Sequence, residues 1–194
     1  MPVGWREPRG WAAVEYAALG WRVLPGAVWD GVRYTRGHVP TPTGELEPIL
    51  PVARASAEPN RVWRWWRRAP YSVLVVVGDP FAAVRVPTAL AHQLTGEAGP
   101  GSARWWGPIA LAPEGAVCLV RPHRWALARL PSLPGVAVLP AGALLPLPPT
   151  RIRGGAVTWQ VSPTQTGGQP GDPAALLRAL RTLVTTPAVA DAAH

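Results

Sequence analysis

Ser72-Val73-Leu74-Val75-Val76-Val77, with Pro70 before it and Gly78 after it, is the segment that most limits what this chain can fold into. Five consecutive aliphatic residues over a length too short for a helix read as a strand. No polar residue alternates with them, so the strand has no face to offer water. It belongs near the centre of a sheet covered on both sides. Gly78-Asp79-Pro80 has turn chemistry, and Phe81–Val86 reads as a second strand. Just upstream, Glu58–Arg68 has helical periodicity, with Ser56 or Asn60 as its cap. At about 100° per residue from Arg61, the residues Val62, Trp63, Trp65 and Trp66 span roughly 40–200°. Arg61, Arg64, Arg67 and Arg68 fill the remaining arc. The expectation is a Trp face packed on the sheet and an Arg face held in solvent or against phosphates.

The other segments mix helix and strand. Pro8–Leu19 reads as a helix closed by Gly20, and Trp21–Pro25 as a short strand. Gly26–Leu50 reads as one long connection. Pro87–Gly96 is a helix, and Pro108–Ala112 with Ala116–Val120 forms a hairpin around Pro113-Glu114-Gly115. Pro122–Leu130 is a short helix. Val136–Leu139, Ala143–Leu147 and Ala156–Val161 are further strands, the last preceded by a turn at Gly154-Gly155. Pro163–Gly171 reads as a flexible linker. Asp172 caps a final helix with Pro173 at its first position and an apolar stripe of Leu176, Leu177, Leu180, Leu183 and Val184. The expected class is α+β. Its parts are a domain over 1–162, a linker over 163–171, a helix over 172–185 and a frayed tail over 186–194.

Composition narrows the chemistry. At 194 residues the chain can bury one core. Its net charge is +8, and all 19 basic residues are Arg. The lack of Lys excludes a P-loop lysine, a Schiff-base lysine and a lysine nucleophile. Arg favours bidentate contacts with phosphate or carboxylate, so an anionic partner fits, although a GC-rich genome also replaces Lys with Arg. Cys118 is the lone cysteine, in an apolar run, and reads as a buried inert thiol. The N-terminal residues lack the apolar stretch of a secretory signal. Leu130–Thr150 is free of charge but is broken by six Pro, so it is not a membrane span. A soluble, cytoplasmic protein is expected.

No catalytic constellation emerges from the residues alone. His38, His92, His123 and His194 have no metal-ligand spacing. Glu45 and Glu47 sit in a Pro-rich stretch as a solvated pair, and Asp79 lies in a turn. The serine elbow GxSxG and the phosphate-cradling GxGxxG and GxxxxGK[ST] are absent. No catalytic residue, metal ligand or cofactor is assigned.

The order of segments resembles the N-terminal domain of bifunctional DNA primase/polymerases, the prim-pol branch of the archaeo-eukaryotic primase superfamily. Ala13–Pro25 is similar to that family's opening helix and strand, and Val62–Pro70 to its WW helix ending in Pro. The apolar strand Val73–Gly78, the Leu133-Pro134-Gly135 strand entry and Leu144–Thr150 with Gly154-Gly155 and Trp159 follow in the family's order. The resemblance covers about residues 11–161. It implies a polymerase fold whose second central strand carries two metal-binding acids. Arg85 and Pro87 stand in those places, Ala137 stands at the third acid, and Pro113–Cys118 lacks the phosphate-contacting His. What the resemblance implies is a degenerate member, because an Arg repels the divalent ions that two-metal transfer requires.

Three functions are compatible with this reading. The first is a catalytically inactive domain that binds DNA or nucleotide phosphate, or a replication or regulatory partner. Its nucleic-acid contacts would be Arg61, Arg64, Arg67, Arg68, Arg85, Arg151 and Arg153. The second is a protein-interaction module presenting Trp105 and Trp106. The third is a nucleotidyltransferase with an altered site, using acids such as Asp79 with Glu114.

Overall fold

In a computed structural model, which describes residues 8–96 and 105–185, the chain opens with α1 (Pro8–Ala18) and turns into β1 (Val23–Gly26). The stretch expected to be one long connection is partly folded. β2 (Val28–Trp29), β3 (Tyr34–Arg36) and β4 (Val39–Thr43) pair antiparallel in a three-stranded sheet. Asp30 closes the first of its turns by accepting the Val32 and Arg33 N–H groups at 2.8 and 2.9 Å. These bonds, led by that from Arg33, hold its carboxyl below the usual range.

A 3₁₀ turn (Val52–Arg54) leads to α2 (Pro59–Trp66). Neither Ser56 nor Asn60 caps this helix. Glu58 occupies the cap position, Pro59 opens the first turn, and Ser56 Oγ accepts the Glu58 N–H at 3.1 Å one step earlier. The next two strands, β5 (Ser72–Val76) and β6 (Ala82–Val86), fall where the sequence places them. They are followed by α3 (Thr88–Thr95), then the hairpin of β7 (Ile109–Ala112) and β8 (Gly115–Val120), then α4 (Arg124–Arg129). Short strands β9 (Ala137–Val138) and β10 (Leu144–Pro146) come next. The last expected strand, Ala156–Val161, is interrupted at Val157. Its first residue belongs to β12 (Gly155–Ala156), which a turn at Arg153-Gly154 pairs with β11 (Arg151–Ile152), and the rest is β13 (Thr158–Val161). The described chain ends in α5 (Pro173–Thr185). The fold is α+β.

β5 is the middle strand of the antiparallel sheet β1-β5-β10 and all five of its residues are buried. Side chains alternate across a strand, so it feeds two cores. Val73, Val75 and Val77 join Tyr16, Trp21, Val62, Trp66 and Phe81 in the main core, while Leu74 and Val76 pack with Leu24 beneath Leu46 and Leu50. A second antiparallel sheet, β13-β7-β8-β6-β9, lies on the other side of the main core. Its outward face, with Val84, Ile109, Cys118 and Val120, is covered by Leu176, Leu177 and Leu180 of α5 and by α3.

Trp21 is fully buried between Tyr16 and Phe81, with ring centroids 5.4 and 5.0 Å away. Tyr16 Oη donates to the Pro148 carbonyl at 2.7 Å and accepts from Trp159 Nε1 at 2.9 Å. Burial pushes the tyrosine pKa up, against the Trp159 hydrogen bond that pulls it down.

Residues 163–171 do not behave as a free linker. Gly171 N–H donates to the Leu119 carbonyl at 3.0 Å, and Arg121 N–H donates to the Gly171 carbonyl at 2.9 Å. These bonds dock the segment along the end of β8, so α5 packs as part of the domain. Its cap is the expected one: Asp172 Oδ1 and Oδ2 accept the N–H groups of Ala174 and Ala175 at 3.3 and 3.1 Å. Val184 is partly exposed, at the end of the stripe. The expected tail over 186–194 lies outside the described residues.

Cys118 sits fully buried on β8, opposite Val84 and Ile109. Burial pushes its thiol pKa up, so thiolate is scarce at neutral pH. Native protein should therefore resist alkylation at pH 8, and modification followed by mass spectrometry should track unfolding. Rapid labelling of the folded protein would contradict this burial.

Candidate functional site

α2 places its arginines by simple helical geometry. At about 100° per residue from Arg61, Val62 and Trp66 fall near ~100° and ~140° and point into the core, where both are buried. The close approach of α1 to α2 depends on Gly10, since a Cβ there would lie 3.1 Å from Trp66 Cβ. Trp63, near ~200°, is half exposed at one flank. Trp65, near ~40°, flanks the arc of Arg61, Arg64 and Arg68 at roughly 300–360° and is partly buried against the edge of the main core. The Trp residues therefore do not all pack inward as expected. A surface helix buries a stripe roughly 100° wide, and four bulky residues spread over about 160° overfill it.

Trp65 forms one wall of a groove of about 330 Å³, with Leu50, Arg54, Arg61, Arg64 and Arg68 as its other lining residues. A second depression of about 320 Å³ is bounded by Arg64, Arg67 and Arg68, so the two share two arginines and form one basic strip. Among the described residues the ion pairs are Arg33–Asp30, Arg36–Glu47 and Arg121–Asp172, all elsewhere. None of the five strip arginines is in an ion pair. Arg64 Nε donates to the Asn60 carbonyl at 3.3 Å, and the Arg61 guanidinium lies 6.0 Å from the Trp65 ring centroid. Like charges three and four residues apart repel along a helix. The negative C-terminal end of α2 offsets part of this for Arg64, Arg67 and Arg68, but does nothing for Arg54 on its separate turn. Nothing in the sequence marks Arg54, which sits in a segment without periodicity.

Arg85 is elsewhere, on β6, directly opposite Val117 of β8 and Ala137 of β9. The positions matched to two of the family's acids, Arg85 and Ala137, are thus neighbours in the sheet. Pro87 follows as the residue preceding α3. The space between the two sheets at this point is about 30 Å³, bounded by Arg85, Glu114, Val117, Leu139, Leu144 and Val157. That accommodates a water molecule and not a nucleotide. Asp79 and Glu114 lie at opposite ends of the β6–β8 ladder, which pairs Ala82 with Val120 at one end and Val86 with Ala116 at the other. Four residue steps of about 3.4 Å separate those ends, so the two acids cannot act on one atom. No group of three metal-ligating side chains exists among the described residues.

Arg151 and Arg153 belong to the β11–β12 hairpin, not to the basic strip of α2. The Arg153 guanidinium lies 5.6 Å from the Trp29 ring centroid, and the Arg153 backbone N–H donates to Tyr34 Oη at 2.9 Å. Trp105 and Trp106 do not form a shared surface, because Trp105 is 2 % exposed and Trp106 59 %. A depression of about 620 Å³ between α1 and Pro148-Pro149 is mostly apolar, with Glu15 its one charged lining residue, and offers nothing to an anion. No helix among the described residues is long and apolar enough to cross a membrane.

Comparison with protein-family models, curated proteins and solved structures finds no match to this chain.

Proposed function

We propose that this chain is a catalytically inactive, prim-pol-like domain of the cytoplasm that acts by binding nucleic acid through the basic strip of α2. The observation that carries the reading is the convergence of Arg54, Arg61, Arg64, Arg67 and Arg68 on adjoining depressions with no carboxylate partner among the described residues. Guanidinium groups left unpaired on one face are matched by phosphates, which polynucleotides supply at regular spacing. The pairing of Arg85 with Ala137 supports the family resemblance, since ligands of one metal pair must be neighbours in space. A cation and a methyl group in those places, in a space of about 30 Å³, speak against nucleotidyl transfer there.

The test is fluorescence anisotropy of labelled DNA. Five phosphate contacts, one for each arginine of the strip, predict an affinity loss of roughly 130- to 500-fold between about 50 and about 200 mM NaCl. Arg64→Glu with Arg68→Glu should remove most of the binding at the lower salt and flatten the salt slope. These side chains are exposed, so the fold should survive. Arg85→Ala should change little, because Arg85 lies away from the strip. Affinity that ignores salt would refute the electrostatic interface.

A protein-interaction module is the second reading, and the exposure of Trp106 favours it. Absence of polynucleotide binding at low salt would move the function there.

A further inference from the structure

The strip is not uniformly basic, and its one aromatic wall carries information that charge alone does not. Trp65 is partly buried: it packs against the main core and also lines the groove, with Leu50 on the preceding segment and the arginines of its own helix. An indole carries no charge and gives a phosphate at most one N–H hydrogen bond. It does offer a flat face for stacking, which an unpaired base can use and a base inside a duplex cannot. The Arg61 guanidinium, 6.0 Å from the ring centroid, is at the outer limit of a cation–π contact, so the ring is seated by its packing on the main core rather than by Arg61. Arg54 and Arg61 are on the groove with Trp65, while Arg64 and Arg68 continue into the next depression. A strand laid along this line has one base against Trp65 and successive phosphates against the arginines.

We infer that the groove between Arg54 and Trp65 is a base-stacking subsite, and that the strip prefers single-stranded polynucleotide to duplex. This rests on the nucleic-acid reading above and specifies its ligand. DNA and RNA share the required chemistry, an exposed base between phosphates. A polyanion without bases, such as polyphosphate or a sulfated sugar, engages the arginines and leaves Trp65 unused.

The experiment measures the full chain against four labelled probes of equal length at about 50 mM NaCl. The probes are single-stranded DNA, single-stranded RNA, an abasic deoxyribose-phosphate strand and duplex DNA. The proteins are wild type, Trp65→Ala, Trp65→Phe and Arg64→Glu with Arg68→Glu, each checked for an unchanged thermal transition. The expected result is single strands bound about five- to a hundred-fold more tightly than the abasic strand, the effect of one stacked base. Trp65→Ala should lose this preference while keeping the salt slope, and Trp65→Phe should keep most of it. Equal wild-type affinity for based and abasic strands, with binding still lost in the double Arg variant, overturns the stacking subsite and leaves the phosphate interface standing. Tighter binding of duplex than of single strands also overturns it. No binding to any probe overturns the interface and the subsite together. A preference for RNA or for DNA identifies which source of the shared chemistry the groove takes.

Discussion

Trp105→Ala should destabilise the protein by about 3–5 kcal/mol, the usual cost of emptying a large buried aromatic site. Its neighbour Trp106→Ala should change stability by no more than about 0.5 kcal/mol. The contrast follows from what each indole touches. Trp105 is 2 % exposed, and its Nε1–H donates to the Asp172 carbonyl at 3.1 Å across 67 residues of chain. Its ring lies against two glycines. A Cβ on Gly107 would sit 2.4 Å from Trp105 Cζ2, and one on Gly171 2.5 Å from the same atom. Trp105 therefore clamps the segment before β7 to the start of α5, where Asp172 also caps the helix. Removing the ring leaves a cavity beside that cap and takes one of the two hydrogen bonds from the Asp172 carbonyl, which keeps the one from Leu176 N–H at 3.0 Å. Gly107→Ala and Gly171→Ala should destabilise as well, because the added methyl meets a rigid ring rather than a flexible side chain. Thermal unfolding monitored by circular dichroism measures all four variants. A Trp105→Ala protein as stable as Trp106→Ala would mean that the indole is not enclosed as described.

The same residues show how far the sequence could be read. β5 was legible because its signal is local: an uninterrupted aliphatic run between Pro and Gly permits little else. The start of α5 was legible for the same reason, since Asp172-Pro173 carries its own cap. Trp105 and Trp106 look alike in sequence, and which one is buried depends on Gly171, brought back by the fold. The meander β2–β4 hid inside Gly26–Leu50 because its strands are two, three and five residues long and are broken by Pro and Gly. Their pairing depends on closing turns rather than on periodicity. At the candidate site, the α2 arginines were readable from a helical wheel. So was the placement of Trp65 beside Arg61, had the wheel been divided by the stripe a helix can bury rather than by residue type. Arg54 and Leu50 reach the groove from irregular backbone, where no period indicates a facing direction.

Thr150→Val should cost about 2–3 kcal/mol although it adds an apolar methyl group to a fully buried position, and Thr150→Ser should cost only about 1 kcal/mol. The reason lies at the end of the central sheet. β10 pairs with β5 as far as Pro146 opposite Leu74, and on the other side Pro25 stands opposite Val73. One residue further, Leu147 N–H still reaches the Val73 carbonyl at 3.0 Å, but the Leu147 carbonyl accepts from Thr150 N–H at 3.1 Å as the chain turns away. Val73 N–H is instead taken by Thr150 Oγ1 at 2.8 Å, and the same hydroxyl donates back to the Val73 carbonyl at 3.2 Å. The side chain thus continues the ladder where backbone pairing stops. Valine has threonine's shape without its hydroxyl, so it strands the buried Val73 N–H and repays little through its extra methyl. Serine keeps both hydrogen bonds and loses one methyl group. At roughly 2–4 °C per kcal/mol for a chain of this size, the two variants should separate clearly in thermal transitions. If the order were reversed, with Val less harmful than Ser, methyl packing rather than the hydroxyl would be what holds this end of β5. Because β5 carries both cores and α2 packs on the same main core, a failure here should also loosen the platform that presents the basic strip. DNA binding by Thr150→Val should then fall as temperature approaches its lowered transition, while Thr150→Ser follows the wild type.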